Sequence, residues 1–356
     1  MPAGIKDVAS AAGVSVGTVS NVLNRPEVVA PATRERVQAA IGRLGFVRNE
    51  SARQLRAGRS RSIGLVVLDV ANPFFTDVAH GVEQVADGNA TMVVLCNTGE
   101  SPDRERRHLE MLEQLRVLGV LITPVDAKSP VIEAMIGRGM PVVLVDRRSV
   151  RRNRCSVAVD DVLGGRLAVQ HLVERGHRRI AFVGGPFSLP QVGDRHAGAL
   201  DALAGSDAED LLVVETASLT LPSGRQAAAD IAALPAGRRP TAVFCANDLL
   251  ALGVMQELTR SGLRVPRDIA VVGYDDIEYA AGAVVPLTSV RQPRELLGRT
   301  AADLIFEEVE QGSGHRHRHV VFEPELVVRE SSALRRRPRA RSDGPRPAAA
   351  ATAVAS

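Results

Sequence analysis

Apolar positions recur at two different spacings along this chain, and the change from one to the other divides it. Over 5–12, Ile5, Val8, Ala9 and Ala12 fall at i, i+3, i+4 and i+7, one stripe on one face of a helix. Gly13 ends it, because glycine takes the left-handed conformation a helix end commonly needs, and Ser15 is placed to cap a second helix starting at Val16. That helix turns Val19, Val22 and Leu23 inward and leaves Val16, Gly17, Thr18, Ser20 and Asn21 outward. A third helix is predicted over 31–44, with Val37, Ala40, Ile41 and Leu44 inward, so that three short helices form one small domain ending near Phe46. Small uncharged residues on the second helix suit a helix-turn-helix that enters a DNA major groove. A helical hairpin packed on a larger body has the same pattern.

From Ile63 the texture changes. Strands are predicted at 63–70, 90–97, 119–124, 141–146, 156–160, 179–185, 211–215, 241–247 and 268–274. Helices are predicted to begin near Phe74, Arg104, Val162, Gly193, Ser223, Asp248 and Arg294. Continuous apolar strands alternating with helices mean parallel sheets covered on both faces. So many strands predict two such lobes, with a small-ligand cleft at the carboxyl ends of the strands. The fold class is therefore an all-α head followed by an α/β two-lobed body.

Charge sharpens this division. The first 61 residues hold ten Lys and Arg against four Asp and Glu, a balance of +6, and the last 22 hold six Arg against Asp343, a balance of +5. With a total of +3, the middle carries 3 − 6 − 5 = −8. A basic head on an acidic body points the head at a polyanion. The segment 48–61, RNESARQLRAGRSR, is basic and almost without apolar content, which describes a solvated linker. Leu55 has no use in a linker, and the stretch 49–55 can form two helical turns once phosphates neutralise its arginines.

Other features exclude more than they assign. The start lacks the charged and apolar regions of a secretory signal, and no run approaches the ~18 apolar residues of a membrane span, so a cytoplasmic chain with no membrane partner is expected. Cys96, Cys155 and Cys245 are odd in number, far apart and in apolar settings, which fits reduced core thiols rather than disulfides or zinc. His315, His317 and His319 alternate, on one face if they lie on a strand. Three imidazoles there could hold a metal, but an exposed polar face is expected and no metal is assigned. The tail from Arg335 is low-complexity and expected to be disordered.

These stretches together resemble the lactose and galactose repressor (LacI/GalR) family. The likeness runs through IKDVASAAGVSVGTVSNVLN at 5–24, TRERV at 33–37, LGF at 44–46 and ARQL at 52–55. It continues through NPFF at 72–75, GH at 176–177 with RIAFVGGP, CAND at 245–248, VVGYDD at 271–276, PLTSVRQP at 286–293 and PELVVRES at 324–331. Colinearity over about residues 5–331 makes it specific. The resemblance implies a homodimeric transcription regulator, a repressor in its usual form, each head placing its second helix in the major groove of half a near-palindromic operator. It implies domains at 1–47 (head), 48–61 (hinge), 62–333 (body) and 334–356 (tail), with one lobe formed by 62–158 and 292–322 and the other by 159–291 and 323–333.

Matched position by position, the family's base-reading residues fall on Val16 and Gly17, opened by Ser15, with Asn21 one turn on. Asn21 can pair bidentately with adenine and Val16 can touch a thymine methyl, while Thr18, Ser20 and Asn24 suit phosphates. Leu55, beside Arg56, matches a leucine that wedges into the minor groove. Two departures stand out: Gly17 has no side chain with which to reach a base, and Ala30 replaces a capping serine, which Pro31 at the first helical position offsets in part. Effector contacts carry over to Asn72, Phe74, Phe75, Asp146, Arg195, Asn247, Asp275 and Gln292. These are the carboxylates, amides and aromatic faces a polyol pocket needs. Each has a plainer reading: Asn247 and Asp248 as helix caps, Arg195 as a salt-bridge residue, the phenylalanines as core. Without tryptophan, stacking falls to Phe74, Phe75, Phe187, Phe244 or Tyr274.

A sugar effector is expected, with a purine as the alternative inside the same class. Effector and operator are then linked through a coupling free energy. The tail has Leu334 and no later leucine, so a dimer without a C-terminal leucine-heptad helix is expected. A secreted sugar-binding protein would share the body but not the basic head. An enzyme built on Asp146 and Asp275 lacks a nucleophile motif, metal-ligand spacing or phosphate loop, so no catalytic residue and no cofactor are assigned.

Overall fold

A computed structural model describes residues 3–46, 60–126 and 129–333. The chain forms two compact units that part between Ser60 and Arg61.

The first unit is the predicted trio: α1 (Ile5–Ala12), α2 (Val16–Asn24) and α3 (Pro31–Leu44). Gly13 closes α1 at φ +62° and returns its N–H to the carbonyls of Ala9 and Ser10. Ser15 caps α2, its side chain accepting from the Thr18 N–H at 3.0 Å. Ala30 offers α3 no side-chain cap, and Pro31 stands at its first turn. Val8, Ala9, Ala12, Val19, Val22, Val37 and Ala40 form the core, with Leu23, Ile41 and Phe46 packed at its rim. Leu44, expected inward, is 39% exposed. It stands at the last position of α3, where Gly45 turns the chain away at φ +57°.

The second unit holds two six-stranded sheets. The first comprises β1 (Ser62–Val67), β2 (Met92–Asn97), β3 (Val120–Ile122), β4 (Val142–Val145), β5 (Cys155–Val159) and β11 (His319–Phe322), in the order β11-β5-β4-β3-β1-β2. The second comprises β6 (Ile180–Gly184), β7 (Leu212–Glu215), β8 (Ala242–Cys245), β9 (Ala270–Asp275), β10 (Thr288–Arg291) and β12 (Glu325–Val327), in the order β12-β10-β9-β8-β6-β7. All neighbours are parallel except β10 and β12. The two orders correspond strand for strand, β1 with β6 and β4 with β9, so each lobe repeats the other's plan.

The helices are α4 (Pro73–Gly88), α5 (Pro102–Gln114), α6 (Pro130–Gly137), α7 (Asp161–Glu174), α8 (Pro190–Leu203), α9 (Leu221–Ala233), α10 (Asp248–Arg260), α11 (Glu278–Gly282) and α12 (Arg294–Gln311). Tight pairs line the sheets: α4 with α12, α7 with α8, and α9 with α10. Their backbones touch through glycine. A Cβ on Gly198 of α8 would stand 1.9 Å from the Val162 carbonyl, and one on Gly165 of α7 would stand 2.0 Å from the Arg195 carbonyl. This contact fixes where Arg195 enters the cleft.

All nine predicted strands are present. Among the described residues, three further strands went unforeseen, β10, β11 and β12. In β10, Thr288 and Ser289 are fully buried yet satisfied, Thr288 donating to the Arg329 carbonyl and Ser289 to Asp248. The short helices α6 and α11 were also unforeseen. Of the three alternating histidines only His319 lies on a strand, and His315 and His317 are half-buried rather than an exposed polar face.

Candidate functional site

Two surfaces carry the residues singled out by sequence. In the first unit, Val16, Gly17 and Asn21 are exposed along the outer face of α2. Ser15 is held by its cap and by a 2.9 Å hydroxyl contact with Thr18. Asn24 turns back on its own helix, donating to the Ser20 carbonyl at 2.8 Å and to Ser20 Oγ at 3.2 Å. A helix with its apolar side locked in a small core and a shallow, uncharged outer face can lie close to base edges. Leu55, Arg56 and the tail from 334 lie outside the described residues.

The second surface is a small cavity, partly open to solvent, at the carboxyl ends of the strands of both lobes. Seven of the eight expected effector residues line it: Asn72, Phe74, Phe75, Asp146, Arg195, Asn247 and Asp275. Gln292 stands behind, donating to Asp275 Oδ1 at 2.7 Å. Sequence reasoning missed Gln191, Asp69 and Glu100, which also line it, with Leu68, Leu189 and Leu219 as apolar wall. Gln191 had a signal in its position, two residues into α8 just beyond β6, where its counterparts Asn72 and Phe74 stand beyond β1. Of the proposed stacking residues, Phe74 and Phe75 line the cavity, whereas Phe244 and Tyr274 are fully buried.

Asp146 directly follows β4 and Asp275 ends β9, counterpart strands of the two lobes. Both hold positive φ, +55° and +106°, conformations costly for a residue with a side chain and typical of functional positions. Burial pushes the Asp146 carboxyl up to about 8, with Asp161 adding to the effect and Arg195 opposing it. Burial likewise raises Asp275 to about 6 against the pull of Arg195, Gln292 and Asn72. Gln191 donates to the Asp146 carbonyl at 3.0 Å and to Asp146 Oδ2 at 3.1 Å. Asp146 Oδ1 and Gln191 Oε1 are buried with no hydrogen-bond donor. Such acceptors cost free energy until a donor reaches them.

Arg195 is buried but fully engaged. It donates to Asp161 Oδ1 at 2.8 Å and to the Ala246 carbonyl at 2.7 Å, and its guanidinium stacks 3.7 Å above the Tyr274 ring. Burial works against its charge, but Asp161, Tyr274, Asp275 and Asp146 outweigh that and hold it firmly protonated. The plainer reading of Asn247 is also realised, since it caps α10 through the Leu250 N–H and donates to the Leu219 carbonyl. Asp248 is a structural residue, fixed by Ser289 and the Ile277 N–H. Arg294, also unforeseen, ties the lobes behind the cavity: it donates to Asp77 Oδ2 at 2.7 Å and to the Asp275 carbonyl at 2.5 Å.

Known proteins match both surfaces. Residues 4–49 match the family described as bacterial regulatory proteins, lacI family, and residues 169–332 match the periplasmic binding protein-like domain. The HTH-type transcriptional repressor PurR of Aliivibrio fischeri (strain ATCC 700601 / ES114) is 34% identical over 332 residues, covering 92% of this chain and 97% of the relative. That of Vibrio campbellii (strain ATCC BAA-1116) is 36% identical over 330 residues, covering 91% and 97%. Among solved structures, the lac repressor dimer bound to operator and the anti-inducer ONPF is similar at a TM-score of 0.81 and 31% identity, covering 93% of this chain and 99% of that one. The complex of the transcriptional regulator CelR with cellobiose is similar at a TM-score of 0.68 and 35% identity, covering 92% and 99%. These relatives are regulators and not enzymes. With a helix-turn-helix head and a two-lobed α/β body matched over nearly its whole length, the chain belongs to the lacI family of bacterial regulatory proteins, the DNA-binding transcriptional repressors.

Proposed function

We propose that this repressor binds a near-palindromic operator as a homodimer and that a neutral, hydroxyl-rich small molecule, a sugar, controls its affinity for DNA. The observation that carries the effector class is the chemistry of the cleft. Asp69, Glu100, Asp146 and Asp275 line the cavity together with one guanidinium, that of Arg195, which is engaged by Asp161. A wall so rich in acceptors, two of them buried without donors, fits a ligand that presents many O–H groups and disfavours a phosphorylated or otherwise anionic one. Phe74 and Phe75 offer apolar faces on one lobe, and Leu189 and Leu219 close the other.

The dimer rests on apolar surface. Met92 and Leu95 on edge strand β2, and Met111 and Leu115 at the helix that follows it, are exposed in the same lobe, which is how an interface between copies looks in one isolated chain. We assign base reading to Val16, Gly17 and Asn21, phosphate contact to Ser15, Thr18, Ser20 and Asn24, minor-groove contact to Leu55 and Arg56, and effector contact to the eight cleft residues expected from sequence. The head, hinge, body and tail are taken as 1–47, 48–61, 62–333 and 334–356.

A purine is the second reading, raised by the PurR relatives. A planar base is best held between two flat faces, and the aromatic residues of this cavity wall, Phe74 and Phe75, both belong to one lobe.

The test selects binding sites from random duplex DNA with the purified full chain, then titrates neutral sugars and nucleobases by calorimetry and repeats the selection with each binder. A palindrome whose enrichment one sugar changes supports the proposal. Binding by a nucleobase and by no sugar transfers the effector to the second reading. Salt-sensitive binding without an enriched sequence removes the base-reading assignment.

A further inference from the structure

We propose that Cys155, Glu308, His315 and His317 form a closed, tetrahedral site for a divalent transition metal, zinc by its donor set, that clamps the chain before β11 to the start of β5 and the end of α12. Cys155 is far in sequence from the other three, and the four meet at the amino end of β5, whereas the effector cleft lies beyond the carboxyl ends. Cys155 is the first residue of β5, Glu308 lies in the last turn of α12, and His315 and His317 lie on the segment between that helix and β11.

Their ligating atoms all lie within 4.8 Å of one another. Cys155 Sγ is 3.2 Å from His315 Nε2 and 3.8 Å from His317 Nδ1, and His317 Nδ1 is 3.8 Å from Glu308 Oε2. Zinc with bonds of about 2.0–2.3 Å holds tetrahedral ligand atoms roughly 3.3–3.6 Å apart, so small side-chain shifts complete the shell. One thiolate, one carboxylate and two imidazoles fill all four positions with protein atoms, the closed coordination of a structural site rather than the open position of a catalytic one.

Two further observations point to a ligand there. Glu308 Oε2 is buried and has no hydrogen-bond donor, an expensive placement for a carboxylate that a cation would repair. The Arg318 N–H donates to Cys155 Sγ at 3.3 Å, an outer contact of the kind that orients a metal-bound ligand. Nearby charges are already balanced: Arg154 pairs with Glu133 and Arg318 with Glu307. Cys155 is free and buried, as expected of a core thiol, and its Sγ also faces two imidazoles.

The test uses the full chain, reduced, stripped of metal and titrated with cobalt(II). The expected result is one ion per chain, tetrahedral ligand-field bands, a sulfur-to-cobalt charge-transfer band, displacement by zinc, and a melting temperature that zinc raises. Cys155→Ser abolishes the charge-transfer band, and His317→Ala, at a half-exposed side chain, weakens cobalt binding at least about 10-fold while the apo melting temperature stays near that of the parent. Glu308→Gln keeps the side chain's shape and weakens binding as well. Absence of stoichiometric cobalt, a charge-transfer band that survives Cys155→Ser, or equal affinity in the His317→Ala and Glu308→Gln chains overturns the site.

Discussion

Asn72 and Asp275 meet across the cleft, the Asn72 amide of one lobe donating to Asp275 Oδ2 of the other at 3.4 Å. Asn72 is also the cap of α4, its Oδ1 accepting from the Phe74 N–H at 3.0 Å. One side chain thus sets the helix that presents Phe74 and Phe75 and touches the opposite lobe's carboxylate. Asp275 in turn gathers Asn72, Gln292 and, at 3.9 Å, Arg195. Asp275→Asn keeps the shape but loses a charged acceptor, and a hydrogen bond to a charged group contributes about 1.5–3 kcal/mol. The expected outcome is a loss of effector affinity of roughly 10- to 150-fold, measured by calorimetry, with DNA affinity in the absence of effector near that of the parent.

Arg195 should act mainly on stability. Its charge is buried with Asp161 and Asp275, its Nη1 holds the Ala246 carbonyl, and Tyr274 lies beneath it. Removing one partner of such a network leaves uncompensated buried carboxylates and costs about 3–5 kcal/mol. Arg195→Met is therefore expected to lower the urea midpoint steeply, and Arg195→Lys to recover only part, because lysine cannot donate to Asp161 and the Ala246 carbonyl in the same planar fork. An Arg195→Met chain of parental stability would reduce this residue to a ligand contact.

Legibility of the chain in its sequence followed the strength of local signals. The three head helices and nine strands could be read because each carries an apolar period of its own, as in β1, buried at all six positions. β10 could not, because Thr288 and Ser289 are buried through hydrogen bonds to Arg329 and Asp248, partners from distant segments. In the cleft, the residues carried over by resemblance came together, but Gln191 and Arg294 did not announce themselves. Their importance lies in whom they face, Asp146 for one and Asp77 with the Asp275 carbonyl for the other. The same holds for Cys155, whose neighbours His315 and His317 arrive from the far end of the chain.

Helix α8 offers a controlled test of close packing. A Cβ at Gly198 would lie 1.9 Å from the Val162 carbonyl and 2.8 Å from the Arg166 nitrogen, so α7 and α8 must separate to admit it, whereas nothing lies within 4 Å of one at Gly193. Overpacking of this kind costs about 1–3 kcal/mol or more, while alanine at an open helical glycine gains up to about 1 kcal/mol. Chemical denaturation should therefore show Gly198→Ala destabilised and Gly193→Ala neutral or stabilised. Equal effects would mean that the helices do not pack backbone to backbone.

The buried carboxylates give stability a definite pH dependence. Asp146 is raised to about 8 and Asp275 to about 6, against roughly 3.9 in an unfolded chain. Below about 4 both states hold the protons. As pH climbs, the unfolded chain ionises first, so this contribution to stability is lost progressively and is gone once pH passes the folded values. Asp146→Asn removes its share, so the parent-minus-variant difference in melting temperature should become less favourable to the parent between pH 5 and pH 8. Effector hydroxyls donating to the ionised forms act in the opposite sense. They favour deprotonation, so effector affinity should rise over the same interval with proton release, visible in calorimetry as a buffer-dependent heat.

On the head, Asn21 and Ser15 should separate base reading from folding. Asn21 is exposed one turn into α2, and a bidentate amide–adenine pair discriminates by about 1–3 kcal/mol. Asn21→Ala should therefore weaken operator binding and relax selection at one position in each half-site, while nonspecific affinity and its salt dependence stay constant, since no phosphate contact is removed. Ser15 holds the Thr18 N–H at 3.0 Å, and replacing such a cap by alanine costs about 1 kcal/mol of stability. Ser15→Ala should accordingly lower the melting temperature of the head and weaken binding to all sequences alike. Selection from random duplexes by the two variants in parallel distinguishes these outcomes. An unchanged site preference for Asn21→Ala would move base recognition to Val16 and to the bare backbone at Gly17, where the helix can approach the groove floor most closely.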